Sequence, residues 1–235
     1  MNLNEFDNEL KYRLFRSVGK ILHPTISKRN ISDYRIILEE SLPEVRVFYP
    51  KKISNIQKVM IFIHGKGVVS SCYGEYTNIC KKMSLETDRM IIALEYHEDK
   101  TEEEQIKEVY TMIKYLYQEL EANGIDSNNI SLIGDSTGGN ILLNMNQIYK
   151  EKISKMKEIL FYPTINIENR ESQESLLNTL MIVGDEDPLK SKILDCYQNE
   201  KTSYLEVPSA THGFLKDMDN QTASLIYNEI NDFLG

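Results

Sequence analysis

The stretch Ile130-Ser131-Leu132-Ile133-Gly134-Asp135-Ser136-Thr137-Gly138 runs from a short apolar segment into a turn with two glycines, and the helix-compatible segment Gly138–Tyr149 follows it. A strand that passes through G-x-S-x-G into a helix presents its serine on a sharp turn. The chemistry needs that turn. A serine hydroxyl is a weak nucleophile and must stand where a base can take its proton, and flanking glycines relieve crowding around it. A glycine-rich turn with an incidental serine has the same pattern, so the rest of the chain must supply the partners.

Outward from this stretch, apolar runs recur at Val59–Ile63, Met90–Leu94, Ile159–Phe161, Leu180–Val183 and Tyr204–Val207, separated by longer polar segments. That pattern predicts strands joined by helical crossovers into a mostly parallel sheet flanked by helices, an α/β fold. Thr101–Asn123 reads as a helix: a threonine and three glutamates open it, Ile106, Val109, Ile113, Leu116 and Leu120 share a face, and Gly124 follows. Thr222–Phe233 reads as another. Tyr34–Leu38 and Val45–Tyr49 read as an antiparallel start to the sheet. Upstream, Leu3, Phe6, Leu10, Leu14, Val18 and Ile21 recur at helical spacing, which predicts an N-terminal helix over residues 1–22 that ends at His23-Pro24 and lies on the core or near the site. No internal repeat or low-complexity linker interrupts the 235 residues, so one domain over 1–235 is expected.

The formal net charge of −9 disfavours nucleic acid and anionic membrane surfaces as partners. Cys72, Cys80 and Cys196 are odd in number and lack metal-ligand spacing, so neither a disulfide framework nor a zinc site is expected. Charges interrupt the first seventeen residues as no signal peptide allows, and no apolar run is long enough to span a bilayer as a helix. The expectation is a soluble cytoplasmic protein without cofactor or metal.

Of the four histidines, His23, His64 and His97 precede the serine, and only His212 follows it. His212 lies in Thr211-His212-Gly213-Phe214, beyond the carboxyl end of a predicted strand, where α/β sheets place their ligands. The carboxylate that orients such a base is expected between serine and histidine in chain order, and Asp185, Glu186 and Asp187 all follow the strand Leu180–Val183. Periodicity does not choose among the three. Amides to receive a developing oxyanion would come from Thr137, directly after the serine, and from the turn His64-Gly65-Lys66-Gly67 after the strand Val59–Ile63.

Together these four stretches resemble the hormone-sensitive-lipase-like branch of the α/β hydrolases, which combines an H-G-G-G loop, a G-D-S-A-G-G elbow, a D-P-L acid and an H-G-F base. The resemblance spans Val59 to Phe214 and implies the α/β-hydrolase fold, with Ser136 as nucleophile, Asp187 as acid, His212 as base, and Gly65, Lys66 and Thr137 as oxyanion amides. Lys66 departs from the family's glycine, and Glu95-Tyr96-His97 stands where the family carries a Y-R-L-A-P-E segment. The interval from Ser136 to Asp187 is too short for a substantial cap. The function implied is hydrolysis of small-molecule carboxylic esters with small or accessible acyl groups through an acyl-enzyme. A peptidase or amidase with the same three residues, and a catalytically silent binding protein of the same fold, are the alternatives.

Overall fold

The computed structural model of the protein describes residues 20–26, 31–38, 41–50, 58–66, 73–149, 156–165, 178–197 and 202–235. Among the described residues nine strands form one sheet: β1 (Lys20–Ile26), β2 (Ile31–Ile37), β3 (Glu44–Pro50), β4 (Val59–Ile63), β5 (Met90–Leu94), β6 (Ile130–Asp135), β7 (Lys157–Phe161), β8 (Thr179–Gly184) and β9 (Ser203–Val207). Their spatial order is β1-β2-β3-β5-β4-β6-β7-β8-β9. β1, β2 and β3 pair antiparallel, β3 meets β5 antiparallel, and every pair from β5 to β9 is parallel.

Strand residues in the centre are buried on both faces, which is why the runs are continuously apolar rather than alternating. Successive side chains nevertheless serve different cores. Val59, Ile61 and Ile63 of β4 pack with helices α2 (Glu102–Ala122) and α3 (Thr137–Ile148), whereas Met60 and Phe62 pack with helices α1 (Tyr73–Thr87) and α5 (Asn220–Leu234). A shorter helix, α4 (Lys190–Tyr197), adds Ile193 to the first core. Helix α2 starts as its sequence predicts, with Thr101 and Glu104 forming a reciprocal capping box.

One stretch departs from expectation. Lys20–Ile26 is a strand, not the end of an N-terminal helix, and His23 and Pro24 lie within it opposite Arg35 and Tyr34. Among the described strands β1 is the outermost, a place where a proline's missing N–H is tolerated. The expected helix over residues 1–22 is therefore corrected for 20–22, and residues 1–19 lie outside the described ones. Helix α1 is the crossover from β4 to β5, for which the sequence pattern predicts a helix without naming its bounds; Tyr76, Ile79, Cys80 and Met83 make its buried face at helical spacing.

The order of the strands creates the crevice. After β4 the chain moves to one side to form β5 and then crosses back to the other side for β6. The carboxyl ends of β4 and β6 thus lead into oppositely directed connections, the place where open α/β sheets bind ligands.

A buried acid marks the far side of β7. Glu158 is 2% exposed and both carboxyl oxygens lie 2.8 Å from Asn146 Nδ2 of α3, while burial pushes its pKa up to about 8. The folded state holds this proton up to about pH 8, whereas the unfolded chain releases it near the ordinary value of 4.5. Between those limits folding takes up a proton, so stability is greatest below the lower one, falls as pH rises, and levels off above the upper one. Thermal melts across this range should show Glu158→Gln gaining on the wild type with rising pH, by on the order of a few kcal/mol at the alkaline end. A difference between the two proteins that does not vary with pH contradicts the assignment.

Candidate active site

The turn after β6 is built by close approach. A side chain on Gly138 would overlap the carbonyl oxygen of Ile63, so only glycine lets the first turn of α3 cross the end of β4. Between strand and helix, Ser136 takes φ 49° and ψ −113°, an outlying conformation for a non-glycine residue. Its backbone is fastened on both sides: the Ser136 N–H donates to Phe161 O, and Ser136 O accepts from Thr164 N, each at 3.0 Å. The hydroxyl is thereby turned out into the crevice.

His212 meets it there. Ser136 Oγ lies 3.0 Å from His212 Nε2, and His212 Nδ1 lies 2.9 Å from Asp187 Oδ2. With its proton on Nδ1, the imidazole donates to the carboxylate and presents an unprotonated Nε2 to the hydroxyl. Asp187 is buried, its side chain wholly so, and its other oxygen accepts the Leu189 N–H at 2.8 Å. The ring of His212 keeps 30% of its surface open to solvent.

The three neighbouring acids separate by what they touch. Asp187 faces His212; Asp185 is exposed and its Oδ1 accepts the Ala210 N–H at 3.3 Å; Glu186 is exposed. Asp185 and Glu186 serve the loop in another way, since their N–H groups donate to Val207 O and Ala210 O at 3.0 and 3.1 Å. Those bonds bring the segment carrying His212 across the end of β8, where Gly184 leaves room for the Ala210 carbonyl.

The oxyanion expectation is corrected at one residue. The N–H of Gly65 donates to Asp135 Oδ1 at 2.9 Å, so this amide is already engaged and does not face an incoming ester. Thr137 opens α3, where a first-turn N–H has no partner within the helix. Lys66 follows Gly65 with an exposed side chain, and Gly67 lies outside the described residues. Of the expected amides, Lys66 and Thr137 remain.

Asp135 has a role that the motif pattern does not show. It is buried between the Gly65 N–H and the Tyr76 hydroxyl, which donates to Oδ2 at 2.8 Å, and burial pushes its carboxyl pKa upward against the pull of both donors. It ties the β4 loop and α1 to the turn that carries Ser136. His64, buried beside it, stacks on Tyr96 with centroids 4.6 Å apart, and the Tyr96 hydroxyl donates to His64 O at 2.8 Å. His97 sits apart on the surface, 2.9 Å from Glu108. Among the described residues no cluster of three or more His, Cys, Asp or Glu side chains is arranged to hold a metal, and no helix is long and apolar enough to cross a membrane.

Comparison with known proteins agrees with this architecture. A family model described as alpha/beta hydrolase fold matches residues 60–179, just over half of the chain. Neutral cholesterol ester hydrolase 1 of Rattus norvegicus is 31% identical over 150 residues, covering 58% of this chain and 37% of that protein. Arylacetamide deacetylase of the same species is 29% identical over 136 residues, covering 52% and 33% respectively. The matched stretches thus span little more than a third of these relatives. Among solved structures, the Francisella virulence factor BioJ superposes with a TM-score of 0.70 at 19% identity, over 100% of this chain and 92% of that one. With the family model and these relatives in agreement, the chain belongs to the α/β-hydrolase fold family, in its hormone-sensitive-lipase-like branch.

Proposed function

We propose that the protein is a serine carboxylesterase acting on esters with small or accessible acyl groups. The observation that carries this reading is the continuous chain Ser136 Oγ, His212, Asp187, with links of 3.0 and 2.9 Å. The names of the relatives, one an ester hydrolase, support the same class.

The steps follow from the geometry. As Ser136 Oγ attacks the ester carbonyl carbon, its proton passes to His212 Nε2, and the carbonyl π electrons move onto oxygen. That oxyanion is received through the backbone by the N–H groups of Thr137, at the positive end of α3, and of Lys66, in the turn after β4. Asp187 stabilises the imidazolium and holds its tautomer. Collapse of the tetrahedral intermediate breaks the C–O bond, and the leaving alkoxide takes the proton from His212 Nε2 as it departs. Water then attacks the acyl-enzyme, gives a proton to His212, and the second collapse returns that proton to Ser136 and releases the acid.

The deciding experiment is a panel of p-nitrophenyl esters and the matching anilides. Ser136→Ala and His212→Ala should each lower ester turnover by about 10⁴-fold or more, because such residues act as a unit. Asp187→Asn should cost far more than Asp185→Asn, whose side chain receives the Ala210 amide and does not touch His212 among the described contacts. Folded Ser136→Ala or His212→Ala protein with near-wild-type turnover defeats the reading. Hydrolysis of the anilides at rates matching the esters moves it to the amidase class, a substrate type that the name of the relative arylacetamide deacetylase brings into the panel.

Lys66→Gly keeps the backbone amide, and neutral-ester turnover should stay within about tenfold of wild type. Its complete loss in folded protein would show that the ammonium, not the amide, matters. Acyl length gives the next test. The connection from β7 to β8 is confined to residues 162–178, too few for a large cap. Each methylene contributes about 0.8 kcal/mol only where an apolar wall receives it. The ratio kcat/KM should therefore peak from acetyl to butyryl and decline by octanoyl, and a profile still rising at octanoyl would contradict an open site.

A further inference from the structure

Tyr162 stands between the turn that holds the nucleophile and the loop that holds the base, yet it belongs to neither. It follows β7 with φ 33°, a left-handed backbone that bulky residues avoid, and its side chain is buried. Strain of this kind persists only where the surroundings over-determine it. Here they do. The Tyr162 N–H donates to Ile182 O of β8 at 2.8 Å, and the backbones of nearby Phe161 and Thr164 both bond that of Ser136.

The other end of the residue reaches the base. Its ring centroid lies 4.9 Å from that of His212, with the planes inclined at 60°, and 4.9 Å from that of Phe214 at 72°. The phenol lies beside the backbone of Leu215, in the short helical turn after His212. Asp187 and Ser136 hold the imidazole at its two nitrogens, and both bonds lie near the ring plane, so neither opposes rotation of the ring about the line between them. The Tyr162 ring, tilted against the imidazole, restricts that rotation.

We propose that Tyr162 is a positioning residue for His212: its ring is the wall that keeps the imidazole aimed at Ser136, and the strained turn registers that wall to the backbone of the nucleophile. The proposal rests on the serine-hydrolase reading above. It differs from a general packing role because it concerns the rate of proton transfer and not the binding of ester.

The test compares wild type, Ser136→Ala, Tyr162→Phe and Tyr162→Leu on p-nitrophenyl acetate, with circular dichroism to establish folding. Tyr162→Leu removes the planar wall and should lower kcat about a hundredfold while KM stays within about threefold, the signature of misplaced catalytic geometry. Tyr162→Phe keeps the wall and should hold kcat within about tenfold of wild type. Proton NMR adds a readout independent of turnover: the downfield signal of the His212 Nδ1 proton should be sharp in wild type and Tyr162→Phe and broadened in Tyr162→Leu. Folded Tyr162→Leu with wild-type kcat and a sharp signal overturns the proposal, as does a Tyr162→Phe protein as slow as Tyr162→Leu. If Tyr162→Leu does not fold, Tyr162→Met, unbranched and without a ring, takes its place under the same criteria. A wild type with no Ser136-dependent hydrolysis would instead defeat the esterase reading, leaving the NMR comparison to decide the role of Tyr162.

Discussion

The structure depends on one close approach, the crossing of the first turn of α3 over the carboxyl end of β4. Because Gly138 carries no side chain, the helix can begin directly above the Ile63 carbonyl, and Ser136 is pressed into its outlying backbone conformation. That conformation turns the hydroxyl outward while leaving the following amide at the positive end of the helix. Retreat of the helix by the width of a methyl group would lose both. Strain at Ser136 is thus not a defect tolerated at a site but the means by which a strand, a nucleophile and a set of amides share so small a volume.

The same solution recurs across the sheet. Gly184 ends β8 beneath the Ala210 carbonyl, and the backbone bonds of Asp185 and Glu186 hold the His212 segment in place. Two close crossings, one at β6 and one at β8, therefore set the separation of the nucleophile and the base. Neither loop could do so alone, since each is fixed to a strand two places from the other. Between them runs the end of β7, which is why its last residues touch both sides.

Charge is treated differently at the two ends of the domain's interior. Asp135 is buried beside the nucleophile with two donors, Tyr76 O–H and Gly65 N–H, and its carboxyl pKa is raised less by want of partners than by loss of water. Glu158 has one amide group for both oxygens, and its pKa rises to about 8. A buried carboxyl without enough donors lowers its cost by keeping its proton. In Asp135 the donors also do structural work, since they join three separate segments at the elbow.

Sequence alone determined the fold class and pointed to Ser136 and His212, because these rest on local signals. Apolar runs too continuous for one-sided strands, a serine between glycines at a strand-to-helix junction, and one histidine late in the chain are all visible without contacts. Tertiary structure alone decided the remainder. Whether Lys20–Ile26 was helix or strand depended on β2 lying beside it, for the same apolar spacing serves either. Chain order left Asp185, Glu186 and Asp187 equivalent; the D-P-L resemblance pointed to Asp187, and the path of the loop is what aims it at His212. Gly65 has the composition of an oxyanion turn, but its amide is claimed by Asp135, seventy residues away in the chain. Periodicity and motif report what a residue and its near neighbours prefer. The direction of a hydrogen bond between distant segments is set by how strands are ordered in space, and that information is spread over the whole chain.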